Sequence, residues 1–328
     1  MSRSTVSIGI SKMNKPLRLA IVHEPEEVEP PSKHETLNYI IKVAEKFGVE
    51  AQLKTLDSIK LGDVDAIFIR QTTAFNSPIY NLSKLASSVG IVVIDDPISI
   101  EVCCNKITMA TRFAIAGVPI PTTGILEPEW GIHEAAETLG YPLVLKDPAS
   151  CFSHGVMLVN NPNEIEEVRA KMQAITAGPI LVQEFIPSSF DWRVGVLDSK
   201  ILFCCQYKMA RGHWQIIKRT EKGQEEGGSV TLNPNNYPRE ICQLALHAAS
   251  CVGDGLYGVD IKVGPNGPVV IEINDNPSID RGIEDRHGVW PRVINHFKEK
   301  VNGRKTRQAQ NAGRKLLQLW GHYLNANC

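Results

Sequence analysis

The sequence contains no stretch approaching the ~20 consecutive apolar residues that cross a bilayer. Its opening, MSRSTVSIGISKMNKPLRLAIV, has no apolar core followed by a small-residue cleavage site, so no secretory signal is expected and the cytoplasm is the expected compartment. Charge of one sign is not in excess. The 35 basic and 36 acidic residues leave a net charge of -1, which gives no overall pull toward nucleic acid or an anionic surface. No CxxC pair occurs among the eight cysteines, which excludes a zinc ribbon or thioredoxin-like site on spacing grounds. The cysteines, including the pairs Cys103-Cys104 and Cys204-Cys205, read as small buried apolar residues in reduced form. There is no internal repeat and no low-complexity tract, and the nine histidines show no ligand spacing.

What is present is an ordinary globular balance, 43% hydrophobic and 22% charged over 328 residues. That length suits two or three sub-domains of roughly 100 to 150 residues each. Residues 1–15 are polar and expected to be flexible. Over 16–96, apolar runs (LRLAIVH, VDAIFIR, IVVI) alternate with helical patterns, which predicts a parallel α/β unit. A second unit, 97–178, carries a helix across Lys106 to Ala116, the connector VPIPTT, the strand YPLVLKD, the loop DPASCFSHGV and the strand GVMLV. A third, 179–300, opens with ILVQEFI, continues through a hairpin turning at Asp198-Ser199, and closes with YGVDIKV and VVIEINDN, paired through GPNG. The tail, 301–328, is basic and reads as a solvated helix docked by Leu316, Leu317 and Trp320, with a partner-binding role as the alternative.

Three constellations carry chemistry. Glu272 and Asn274 lie two residues apart on one strand, so both side chains leave the same face. Asp260 stands on the partner strand and can join them. Two carboxylates and an amide oxygen are hard ligands suited to Mg²⁺. A solvent-facing polar side of the hairpin is the bland alternative, disfavoured by the apolar neighbours Val259, Ile261, Ile271 and Ile273. Second, Lys106 and Lys146 stand at a helix start and a strand end beside a small-residue loop, where each can act as a point charge on phosphate. Each alone reads more often as a solvated surface charge. Third, VQEFIPSSFDWRV is a strand and turn whose backbone can meet a flat base edge. Glu184 or Asp191 could take ribose hydroxyls, and Arg193 could touch phosphate.

In order along the chain stand RQTT, CCNKITMATRFAIAGVPIPTT, YPLVLKDPASCFSHGV, VQEFIP, DWRVGVL, YKMARGHWQI, GVDIKV and IEINDNPSID. Together they resemble the ATP-grasp superfamily, and within it the RimK-like carboxylate–amine ligases, from about residue 17 to about residue 297. The resemblance implies an N-terminal α/β domain followed by two α+β lobes that clasp ATP. It implies an ATP-dependent ligase that makes an amide or peptide bond through an acyl phosphate, with an amino acid such as glutamate as one substrate. Lys106 and Lys146 would bind phosphates, and Gln183, Glu184, Phe185 and Ile186 the adenine. Asp191 would lie near the ribose, with Arg193 beside it. Asp260, Glu272 and Asn274 would hold Mg²⁺, or Mn²⁺ in its place. Arg70 matches a family position facing the acceptor.

The phosphate loop is poorer in glycine than the family's. Gln215 and Ile217 stand where an arginine and an asparagine are usual, so Lys208, Arg211 or Lys218 would supply the missing charge. The expected partners are small-molecule or peptide substrates and other copies of the chain, with neither membrane nor nucleic acid. A small-molecule kinase and a non-catalytic nucleotide-binding module stay open as rivals.

Overall fold

The computed structural model describes residues 15–25, 31–127, 132–150, 155–220 and 223–326. The expected flexible N-terminus, to residue 14, and the centre of the loop DPASCFSHGV lie outside them. The first unit contains β1 (Leu17–Val22), α1 (Pro31–Lys46), β2 (Val49–Lys54), β3 (Ala66–Ile69), α2 (Pro78–Ser88) and β4 (Val92–Ile94). Its sheet has the order β2-β1-β3-β4 and is parallel throughout. All four residues of β3 are buried, as a strand covered on both faces requires.

Next come α3 (Pro97–Cys103) and α4 (Lys106–Ala116), each started by a side-chain cap. Asp96 accepts from the amides of Ile98 and Ser99, and Asn105 from those of Ile107 and Thr108. Gly117, at φ 70°, ends α4 in the left-handed conformation that glycine takes without penalty. The cap at Asn105 makes Lys106 the first residue of its helix.

The second sheet is antiparallel, in the order β5-β8-β6-β7. Its elements are β5 (Thr123–Leu126), α5 (Ile132–Leu139), β6 (Leu143–Lys146), β7 (Val156–Val159), α6 (Ile165–Gln173) and β8 (Ile180–Glu184). Here the structure corrects two of the expected boundaries. The strand expected to open the third unit, β8, lies between β5 and β6 in the second. Conversely, Met109 and Phe113 of α4 pack into the core of the third unit. An apolar strand reads alike whichever sheet completes it, and only long-range pairing decides.

The third unit has β9 (Phe190–Leu197), β10 (Lys200–Lys208), β11 (Ile217–Thr220), β12 (Gly223–Glu226), β13 (Ser229–Thr231), α7 (Arg239–Ser250), β14 (Leu256–Gly264) and β15 (Gly267–Asp275). Five of these strands form a sheet, β13-β10-β9-β14-β15, and β11 and β12 form a separate ribbon. The turn at Asp198-Ser199 stands as expected, with both residues at positive φ (49° and 59°). One face of the large sheet packs on α4 and α7 through Val194, Val196 and Cys204. The other, through Leu197, Phe203 and Cys205, shares a core with β1, β3, α1 and the last helix, α8 (Val289–Ala326). No helix among the described residues is long and apolar enough to cross a membrane.

Candidate active site

β14 and β15 pair antiparallel with Asp260 opposite Glu272 and Gly258 opposite Asn274, while Arg193 on β9 lies across from Asp260 on its other side. Strand parity therefore collects Arg193, Asp260, Glu272 and Asn274 on one patch of sheet. Arg193 forks onto Asp260, Nε to Oδ1 at 2.5 Å and Nη2 to Oδ2 at 2.7 Å. Its guanidinium is thus committed to a carboxylate, where the sequence sent it to phosphate. The Asn274 amide nitrogen donates to Asp260 Oδ2 at 3.3 Å and to Glu272 Oε1 at 3.2 Å. Amide orientation follows the hydrogen-bond network, and a rotation of the amide would present its oxygen instead.

The three side chains converge, and their donor set of two carboxylates and one amide oxygen fits Mg²⁺. No group of three or more His, Cys, Asp or Glu side chains placed for a metal occurs among the described residues, and this trio has only two.

The charges here are strongly coupled. Burial pushes Asp260 up to about 6, against the pull of Arg193 and with help from Glu272 and Asp191. Burial also acts to raise Glu272, but Lys106 and Lys146, aided by the Asn274 amide, outweigh it and hold that carboxyl below its ordinary value. Lys146, at the end of β6 and 6% exposed, is brought down to about 8 by burial, with Glu272 pulling it back up and Lys106 and Lys262 pushing it further down. Lys106 and Lys146 line one pocket with Met109, Phe113, Gln183 and Val270. The Lys106 amide donates to Pro148 O at 2.9 Å, and its Nζ donates to Ser150 O. The helix start is thereby docked against the loop that follows β6.

The strand expected to meet adenine makes well-defined contacts. Gln183 Nε2 donates to Thr123 Oγ1 at 2.8 Å, and Glu184 Oε1 accepts from the Thr122 amide at 2.9 Å. The Phe185 amide donates to Pro142 O at 3.3 Å, and its ring stands edge-on to Trp214, centroids 6.1 Å apart. Ile186 is buried. Asp191 accepts from Ser188 Oγ at 3.1 Å and is ion-paired with Lys262. Lys262 escaped the sequence reading, although strand parity with Asp260 places it on the same face.

Three further expected residues have surroundings of their own. Lys208 is exposed at the end of β10. Lys218 stands opposite Glu225 across the β11–β12 ribbon, within reach of cross-strand charge pairing. Arg70, just past β3, is 6% exposed, and its Nη1 donates to Asn276 Oδ1 at 2.6 Å and to Pro277 O at 3.1 Å. Asn276 was not singled out in the sequence.

A family model, the RimK-like ATP-grasp domain, matches residues 103–289, more than half of the chain. A probable alpha-L-glutamate ligase of Thioalkalivibrio sulfidiphilus is 27% identical over 223 residues, covering 66% of this chain and 71% of that protein. One of the same name from Vibrio vulnificus is 28% identical over 199 residues, covering 60% of this chain and 63% of that protein, so this chain spans less than two thirds of its length. Among solved structures, D-alanine–D-alanine ligase from Bacillus anthracis complexed with ATP matches with a TM-score of 0.67 at 17% identity, covering 89% of this chain and 99% of that one. The ATP-grasp ligase PsnB complexed with its minimal precursor, Mg and ADP matches at 0.61 and 16% identity, over 86% of this chain and 97% of that one. At these identities the structural likeness shows the fold.

Proposed function

This chain belongs to the RimK-like ATP-grasp family, and we propose that it is an ATP-dependent carboxylate–amine ligase with glutamate, the amino acid named in its curated relatives, as one substrate. The observation that carries this reading is geometric: Lys106 and Lys146 line one pocket with Val270 and Ile271 of β15, the strand that carries Glu272 and Asn274.

The chemistry follows from charge. A carboxylate at neutral pH is a poor electrophile, so one of its oxygens first takes the γ-phosphoryl group, forming an O–P bond as the bond to ADP breaks. The amine nitrogen then attacks the carbonyl carbon, loses a proton, and expels phosphate. Positioning and charge neutralisation carry most of such a phosphoryl transfer. Asp260, Glu272 and Asn274 would hold Mg²⁺, which offsets charge on the phosphoryl oxygens when bound. Lys146 supplies a point charge from the end of β6 in the second sheet, and Lys106 one from the start of α4. Gln183 to Ile186 would offer backbone to the base, and Asp191, paired with Lys262, would take the ribose hydroxyls. Arg193 keeps Asp260 ionised and in place. Lys208, exposed at the end of β10, is the candidate cation for an anionic acceptor, with Lys218 of the β11–β12 ribbon as the other.

Hydroxylamine trapping tests the reading. With Mg-ATP and a panel of amino acids, dicarboxylic acids and short peptides, a hydroxamate formed together with ADP is the expected result. ADP without hydroxamate would instead assign a kinase. Lys146→Ala should lower hydroxamate formation on the order of 10²-fold, the scale for removing one preorganised stabilising donor.

A further inference from the structure

Arg70 and Asn276 lie 206 positions apart; their side chains bond each other, and each also bonds the backbone of the residue that follows the other. Arg70 donates from Nη1 to the Asn276 side chain and to Pro277 O. Asn276 in turn donates from Nδ2 to Gln71 O at 2.6 Å, next to Arg70 in the chain. Asn276 sits at φ 44°, a left-handed conformation that asparagine tolerates better than most residues. The Arg70 guanidinium is further walled by the rings of Phe68 and Trp290, at 5.4 and 5.6 Å from their centroids. The Arg70 backbone is tied to β1 through Val22 O at 2.7 Å. The N-terminal sheet therefore holds the loop immediately after β15, two residues beyond Asn274.

We infer that Arg70 is a positioning residue: through Asn276 it fixes the end of β15 and so the aim of Asn274, the last member of the Mg²⁺ trio. This rests on the trio being the metal site, as proposed above. It gives Arg70 a role distinct from the acceptor contact that the family resemblance implies. Groups that orient a ligand from behind commonly change metal affinity or activity about 10–100-fold when removed.

The test titrates Mn²⁺ into protein with ADP and follows water-proton relaxation, a readout independent of turnover. Asn276→Gly keeps the left-handed backbone and deletes only the bridging amide. Arg70→Lys keeps the charge and loses the planar fork. Each should weaken Mn²⁺ binding about tenfold or more, with metal-free ADP affinity unchanged. The double variant should be no weaker than the poorer single one, because both break one clamp. Asn276→Gly decides the matter even where Arg70→Lys fails to fold. Mn²⁺ affinities within twofold of the parent, or losses that multiply in the double variant, would overturn the inference alone. A parent protein with no saturable Mn²⁺ site would overturn the metal assignment beneath it.

Discussion

A Cβ built on Gly195 would lie 2.2 Å from Cε1 of Phe203, its direct cross-strand partner. Phe203 is fully buried in the core beneath the N-terminal sheet and cannot swing aside. Gly195→Ala should therefore cost about 1–3 kcal/mol, as overpacking does, and chemical denaturation would register it. A denaturation midpoint unchanged from the parent would show that the strand yields. The same scale explains what was legible at the site. Parity along β14 and β15 was enough to bring Asp260, Glu272 and Asn274 to one face, because strand alternation is local. The same parity holds Lys262, which was overlooked because a lysine on a strand reads as solvent-facing. The partners of Arg70 and Arg193 were out of reach, since the first lies 206 positions away and the second 67.

Elements were legible where their signals are local. The helix over Lys106 to Ala116 matches, bounded by Asn105 and Gly117, and so does the turn at Asp198-Ser199. β2 was missed although VEAQLK alternates, with Val49, Ala51 and Leu53 packed in the core, and β12 because its four exposed residues carry no burial pattern. The turn between β9 and β10 also fastens α8. Asp198 lies 3.8 Å from His296 Nδ1 and 3.1 Å from Lys300 Nζ, with Asp254 also paired to Lys300.

Burial lowers the His296 pKa below its ordinary value, with Asp198, Asp254 and Glu299 pulling it up and Lys300 pushing it down. A histidine depressed in the fold stays neutral where the unfolded chain's is charged. Its stability contribution is full above the unfolded pKa and declines as pH falls through that value. Between pH 7.5 and 5.5 the parent should lose more thermal stability than His296→Gln, the other titrating groups being common to both. Parallel losses in the two proteins would refute this.

At the scale of the whole molecule, α8 closes a core that belongs to two units at once. Trp290, Val293, Ile294, Phe297 and Val301 pack with Leu19, Ile21 and Phe68 on one side and with Leu197, Leu202 and Phe203 on the other. Phe297 meets Phe68 edge-on at a centroid distance of 5.5 Å. Phe297→Ala should cost about 3–5 kcal/mol. Calorimetry should show the N-terminal unit and the large sheet melting earlier together. Two separated transitions would mean that the shared core does not couple them.

That shared core also bears on how the protein is made. A nascent chain leaves the ribosome N-terminus first, and domains commonly fold in that order. Here β1 shares its core with residues 289–301, which leave the ribosome long after it. The sheet that β1 belongs to must wait, with part of its apolar surface uncovered, for α8 to arrive. In the cell this leaves a long interval in which chaperones can act and in which a prematurely terminated chain has no complete core to settle into.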